Sequence, residues 1–253
     1  MSIRNIFKSR WGLTFTSDDG SWHTGDDLGL LPASPPDFGT PTVKQEIVEI
    51  PGTNGAIDLT EWAGYPTYGT RPGSFEYYLP DRRESQQRAL HARVTNLLHG
   101  RVWKITPDEN PDAYYTGRLS VGPIVRTGTG MPTFKITGDL DPFRTDWADP
   151  STDSWQWDPF SFENGVIREY GAITISGETE VTVVSSPVGG TPLIKNNGSA
   201  AMTLETEDGD EYTLPAGEWT SLGEIELPHA FEEVTWTITG SGTVTIYFRT
   251  GGF

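Results

Sequence analysis

The chain has 253 residues and a formal net charge of −17, from 18 Lys and Arg against 35 Asp and Glu. The length allows one large domain or two ordinary ones, and the charge argues against nucleic-acid binding, sequence-specific or general, because neutralising phosphate needs clustered cations. The absence of Cys excludes a disulfide framework, a thiolate zinc site and a cysteine nucleophile. No run approaches the roughly eighteen apolar residues of a membrane span, so no membrane insertion is expected, and charges in the first ten residues leave no apolar stretch for a secretory signal.

Residues 16–41 hold four prolines with many Gly and Asp. They read as a long irregular segment that needs a surface to lie against. Phe75, Tyr77 and Leu79 then alternate as a strand. A helix is expected over about 81–99: Asp81 as N-cap with Glu84 three residues on, an apolar stripe of Leu90, Val94, Leu97 and Leu98, and Gly100 as the stop. Arg82, Arg83, Arg88 and Arg93 fall largely off that stripe, as a solvated face or as an interface. Trp103 and Ile105 follow, then the alternations Tyr115, Gly117, Leu119, Val121 and Phe134, Ile136, Gly138, Leu140. Gly117 within a strand suggests a bulge or the close approach of another backbone. Tyr114 and Arg118 share a strand face and are candidates to stack or to meet a neighbour. The first half, residues 1–145, is thus an α+β unit, an antiparallel sheet with one helix. Residues 146–159 begin polar and proline-broken and read as a linker.

The remainder, 160–253, is all-β. Ile173/Ile175, Val181/Val183, Met202/Leu204 and Tyr212/Leu214 alternate, with turns at Glu207-Asp208-Gly209-Asp210 and Pro215-Ala216-Gly217. Val234, Trp236 and Ile238, then Gly240-Ser241-Gly242, then Val244, Ile246 and Phe248 predict a hairpin. Many short strands at close spacing mean a β-sandwich or jelly roll, so the whole chain is expected to be mainly β. Charge is lopsided: residues 1–147 carry 15 cations and 18 anions, residues 148–253 carry 3 and 17. Such asymmetry suggests two units with different surroundings, the second kept soluble by acidic loops.

No catalytic constellation, metal site or cofactor motif emerges. His23, His91, His99 and His229 include no pair four apart, and His99 is placed to meet the helix dipole. Thr127-Gly128-Thr129-Gly130 links two strands and reads as a turn, not a phosphate loop. Nine Trp are in excess. Trp236 alternates with core residues, whereas Trp155, Trp157 and Trp219 are candidates for stacking on a sugar, with plain packing as the simpler reading.

Several segments, in order, resemble the distal tail protein family of siphovirus-type bacteriophages, whose tails are long and non-contractile. They are Trp11-Gly12-Leu13-Thr14-Phe15, Asp26-Asp27-Leu28-Gly29-Leu30-Leu31-Pro32, the run from Ile50-Pro51-Gly52 through Gly55 to Asp58-Leu59-Thr60, and Tyr68-Gly69-Thr70-Arg71-Pro72-Gly73. Leu98-His99-Gly100-Arg101, Tyr114-Tyr115-Thr116-Gly117-Arg118 and Asp141-Pro142-Phe143 complete them. In the family a cysteine often stands near Gly138 or Asp139, and Tyr in place of Phe143. The resemblance implies a virion protein of a phage or prophage tail tip, made in the bacterial cytoplasm. It implies a homo-hexameric ring formed by the first domain, joining the tail tube protein to a tail-associated lysin or hub protein and to a receptor-binding protein, followed by a galectin-like β-sandwich. It implies no enzyme activity. The alternative is a glycan-binding module that positions the particle on the bacterial surface.

Overall fold

Alternating apolar residues build most of the strands in the computed structural model, which describes residues 11–147 and 170–253 apart from positions 53, 63, 81, 82, 129, 224, 226 and 230. The protein is mainly β. The chain divides into two units, Met1–Arg144 with Phe253, and Thr145–Gly252.

In the first unit the strands are β1 (Leu13–Ser17), β2 (Gly20–His23), β3 (Leu31–Pro32), β4 (Asp37–Phe38), β5 (Ile47–Glu49), β6 (Ala56–Asp58), β7 (Arg71–Tyr78), β8 (Val102–Pro107), β9 (Ala113–Val121) and β10 (Thr133–Leu140). The main sheet runs β2-β1-β8-β9-β10-β7-β3, with β4 also on β7. Helix α1 (Glu84–Leu98) lies between β7 and β8 in sequence. Phe15, Phe75, Tyr77, Trp103, Ile105, Leu119, Phe134, Ile136 and Leu140 point to one core, and Val94 and Leu98 close it from the helix, with Leu90 and Leu97 at its margin. The apolar stripe thus does what its spacing implies.

The start of α1 differs from expectation. Arg83, not Asp81, is the N-cap residue, and its side chain makes no capping hydrogen bond. Asp81 lies outside the described residues. Gly100, with φ of +75°, ends the helix as expected, since a Cβ is strained there. His99 does not serve as a cation on the dipole: its Nδ1 accepts the Val121 N–H at 3.0 Å. His91 Nε2 bonds the Gly122 carbonyl at 2.8 Å. Two histidines therefore tie the helix to the end of β9.

The second unit holds β11 (Arg144–Asp146, from the boundary residue), β12 (Ile173–Val184), β13 (Leu193–Asn196), β14 (Met202–Glu205), β15 (Glu211–Leu214), β16 (Trp219–Ser221), β17 (Glu233–Tyr247) and β18 (Gly251–Gly252). Its core includes Ile175, Val183, Ile194, Met202, Leu204, Leu214, Trp236, Ile238, Val244 and Ile246. The hairpin expected at Gly240-Ser241-Gly242 is absent. β17 runs straight through, paired with β12 from Ile173↔Val244 to Val184↔Glu233. On its other edge β17 pairs with β14 through Thr237–Thr239 and with β13 through Val244–Tyr247. The glycines sit where the neighbour changes. Gly240 has φ of +156° and a Cβ there would lie 2.5 Å from Met202 Cγ; one on Gly242 would lie 2.9 Å from Gly198 Cα. They admit the crossing chain rather than reverse their own.

Candidate interaction surface

Between β4 and β7 the chain leaves the main sheet as a separate ribbon. Lys44 N–H donates to the Thr67 carbonyl at 2.8 Å and Gly69 N–H to the Thr42 carbonyl at 2.7 Å, holding the root together. Beyond it β5 and β6 pair in the register Ile47↔Asp58, Val48↔Ile57 and Glu49↔Ala56. Opposed residues share a face and faces alternate along a strand. One face therefore carries Val48 and Ile57, extended by Leu59, whose N–H donates to the Glu46 carbonyl at 2.7 Å. The other carries Ile47, Glu49, Ala56 and Asp58. Gly52 and Gly55 turn the tip with φ of +86° and +96°. Asp58 accepts the Thr60 N–H at 2.9 Å, and bonds from the Thr60 hydroxyl and amide hold its carboxyl below the usual carboxylate range.

Apolar side chains of this arm stand in water. Val48 and Leu59 are exposed, Ile57 is 48% exposed, and Trp62 just beyond is 82% exposed. A two-stranded ribbon is marginal by itself in water, so its apolar face needs a cover. Glu46, Glu49, Asp58 and Glu61 against Lys44 make the arm acidic.

The outer side of α1 is a second surface. Trp22, Ala89, Ala92, Arg93, Leu97 and Arg101 line an open groove of about 620 Å³. Trp22 is fixed edge-on to the buried Trp103, ring centroids 5.5 Å apart.

The candidate arginines separate. Arg88 is spent on its own helix, 2.6 Å from Glu84, which Arg126 also approaches at 3.6 Å. These cations hold the Glu84 carboxyl below its ordinary range, Arg88 foremost. Arg83 occupies the N-cap position of α1 and is exposed, Arg93 faces the groove, and Arg82 lies outside the described residues. Tyr114 is only 8% exposed, with Lys104 Nζ 4.8 Å from its ring centroid. Arg118 donates to the Gly100 carbonyl and so braces the helix end. The structure does not bring Tyr114 and Arg118 into one patch with the helix arginines. Trp219, in the second unit, is 49% exposed with Lys195 Nζ 6.0 Å from its ring. Trp155 and Trp157 lie outside the described residues. Among the described residues no group of three His, Asp or Glu gathers to hold a metal ion.

No family model matches the chain, and no curated protein matches it in sequence. Solved structures do match. The crystal structure of the Dit (gp 19.1) protein of phage SPP1 superposes over 94% of this chain and 98% of its own, with a TM-score of 0.57 and 14% identity. The fold is that of SPP1 Dit. That protein is described as a paradigm of the hub adsorption apparatus in phages infecting Gram-positive bacteria. The likeness to SPP1 Dit, at 94% of this chain, extends over both units.

The arm is the surface that residue patterns alone did not mark. Its alternation was visible in Ile47-Val48-Glu49-Ile50 and Ala56-Ile57-Asp58-Leu59, but alternation does not say whether a face is buried in its own chain or left outside.

Proposed function

We propose that this protein is a structural component of a phage or prophage tail tip, forming a hexameric ring that joins the tail tube to the baseplate hub or receptor-binding apparatus. The observation that carries the reading is the fold shared with SPP1 Dit over nearly the whole chain; the ordered motifs of the first unit and the uncovered apolar arm support it. A chain built to stand alone would not leave Val48, Ile57, Leu59 and Trp62 in water. Repeated about a rotation axis, a contact between unlike surfaces closes into a ring. No step of catalysis is assigned to any side chain. The second unit is a further module of the same chain, and its galectin-like character belongs to the same proposal. Light scattering on the purified full chain tests the reading. A particle of six times the 27.9 kDa chain mass is expected. A monomer at all accessible concentrations overturns it.

A further inference from the structure

We propose that the β5–β6 arm of one copy lies in the groove outside α1 of the next copy, an inference that rests on the ring reading above and names its contact. The two surfaces are complementary in shape and charge. The arm offers Val48, Ile57 and Leu59 on one face with Glu46 beside them, Trp62 and Glu61 just beyond, and Glu49 and Asp58 on the reverse face, so that it is acidic as a whole. The groove offers Trp22, Ala89, Ala92 and Leu97 with Arg93 and Arg101 at its rim, and no acidic side chain lines it. Ala89 and Ala92 stand on neighbouring turns of the helix, so a ribbon can approach close to it there. Arg93 has no ion-pair partner among the described residues, and Arg101 reaches only the exposed Asp19, at 3.9 Å. Arg88, by contrast, is engaged with Glu84 and is not among the residues that line the groove. Cations at a groove and anions on an apolar arm steer encounter and fix register, while the indole of Trp62 supplies an anchor of the kind that dominates interfaces. The patches are different parts of one chain, so the contact is head to tail.

Two variants at exposed positions separate the surfaces. Ala92→Trp fills the groove and leaves the arm intact; Trp62→Asp spoils the arm and leaves the groove intact. Each full-length variant, checked for an unchanged thermal unfolding curve, is expected to self-associate at least tenfold more weakly than the natural chain by light scattering. Mixed, they are expected to form a one-to-one dimer, the intact arm of the first in the intact groove of the second. If the natural chain assembles and Ala92→Trp assembles as well, the docking proposal is overturned and the ring stands. If both variants fall apart but the mixture stays monomeric, the arm is not the occupant of the groove, and the proposal is again overturned. If the natural chain is itself a monomer, the ring reading fails and this contact with it.

Discussion

At Gly117 a single hydrogen atom is all the space allows. A Cβ there would lie 2.6 Å from the Asp139 carbonyl oxygen and 2.7 Å from Leu140 Cα, both backbone atoms of the paired strand β10. Gly117→Ala is therefore expected to destabilise the first unit by about 1–3 kcal/mol, because the neighbour cannot rotate away; denaturant unfolding measures it. The alternation around Gly117 announced a close approach in the sequence, and only the partner's identity waited for the structure. Gly240 is the opposite case. In local terms Gly-Ser-Gly spells a turn, whereas the backbone of β12 alongside and the side chain of Met202 above decide that it is extended. Gly240→Ala is expected to be destabilising, and Met202→Ala in the same chain to recover part of the loss, since it removes the atoms the new methyl meets. An additive double variant would contradict this account of the glycine. At Asp58 the carboxyl is held below its ordinary range by Thr60. A depressed group adds stability above its unfolded value and loses it as pH falls through the folded one. The protection of the Thr60 amide, taken relative to its intrinsic exchange rate at each pH, is expected to fall only once the pH drops below the usual carboxylate range.

Helix α1 closes the core of the first unit with its inner stripe and lines the groove with its outer side. Its inner stripe was legible because Leu90, Val94, Leu97 and Leu98 recur at helical spacing. Its start was not, because a capping sequence promises only that a cap can form, and Arg83 takes that position without a side-chain capping bond. Its fastening to β9 was not legible either: His91 and His99 meet backbone groups of Gly122 and Val121 that are distant in sequence. Leu98→Ala, at a fully buried position, is expected to cost about 2–5 kcal/mol, read from the unfolding midpoint. The arm differs in kind. Its strands rest on each other and on a short root, so it is the element of the first unit expected to exchange fastest in the isolated chain and to gain protection on assembly. Hydrogen exchange at low and high protein concentration would show this, and equal exchange at both would contradict it.

In the whole molecule, composition already separated two halves by charge, and the division into two units falls close to where the charge changes. The return of the last residue was not visible. Phe253 packs against Tyr68 and Phe143 of the first unit, with centroids 5.1 and 4.9 Å apart, and no local pattern in a terminal Gly-Gly-Phe reveals so distant a partner. A fragment ending at residue 145 lacks that ring and is expected to be less stable than the same unit in the full chain. Limited proteolysis is expected to cut first between 146 and 154; first cuts within 173–247 would contradict a linker there. The central claim is the ring, and a negative-stain image of the purified full chain tests it most directly. Six-fold rings with an open centre are the expected result. Isolated single-chain particles, or two-fold dimers with no open centre, would contradict it.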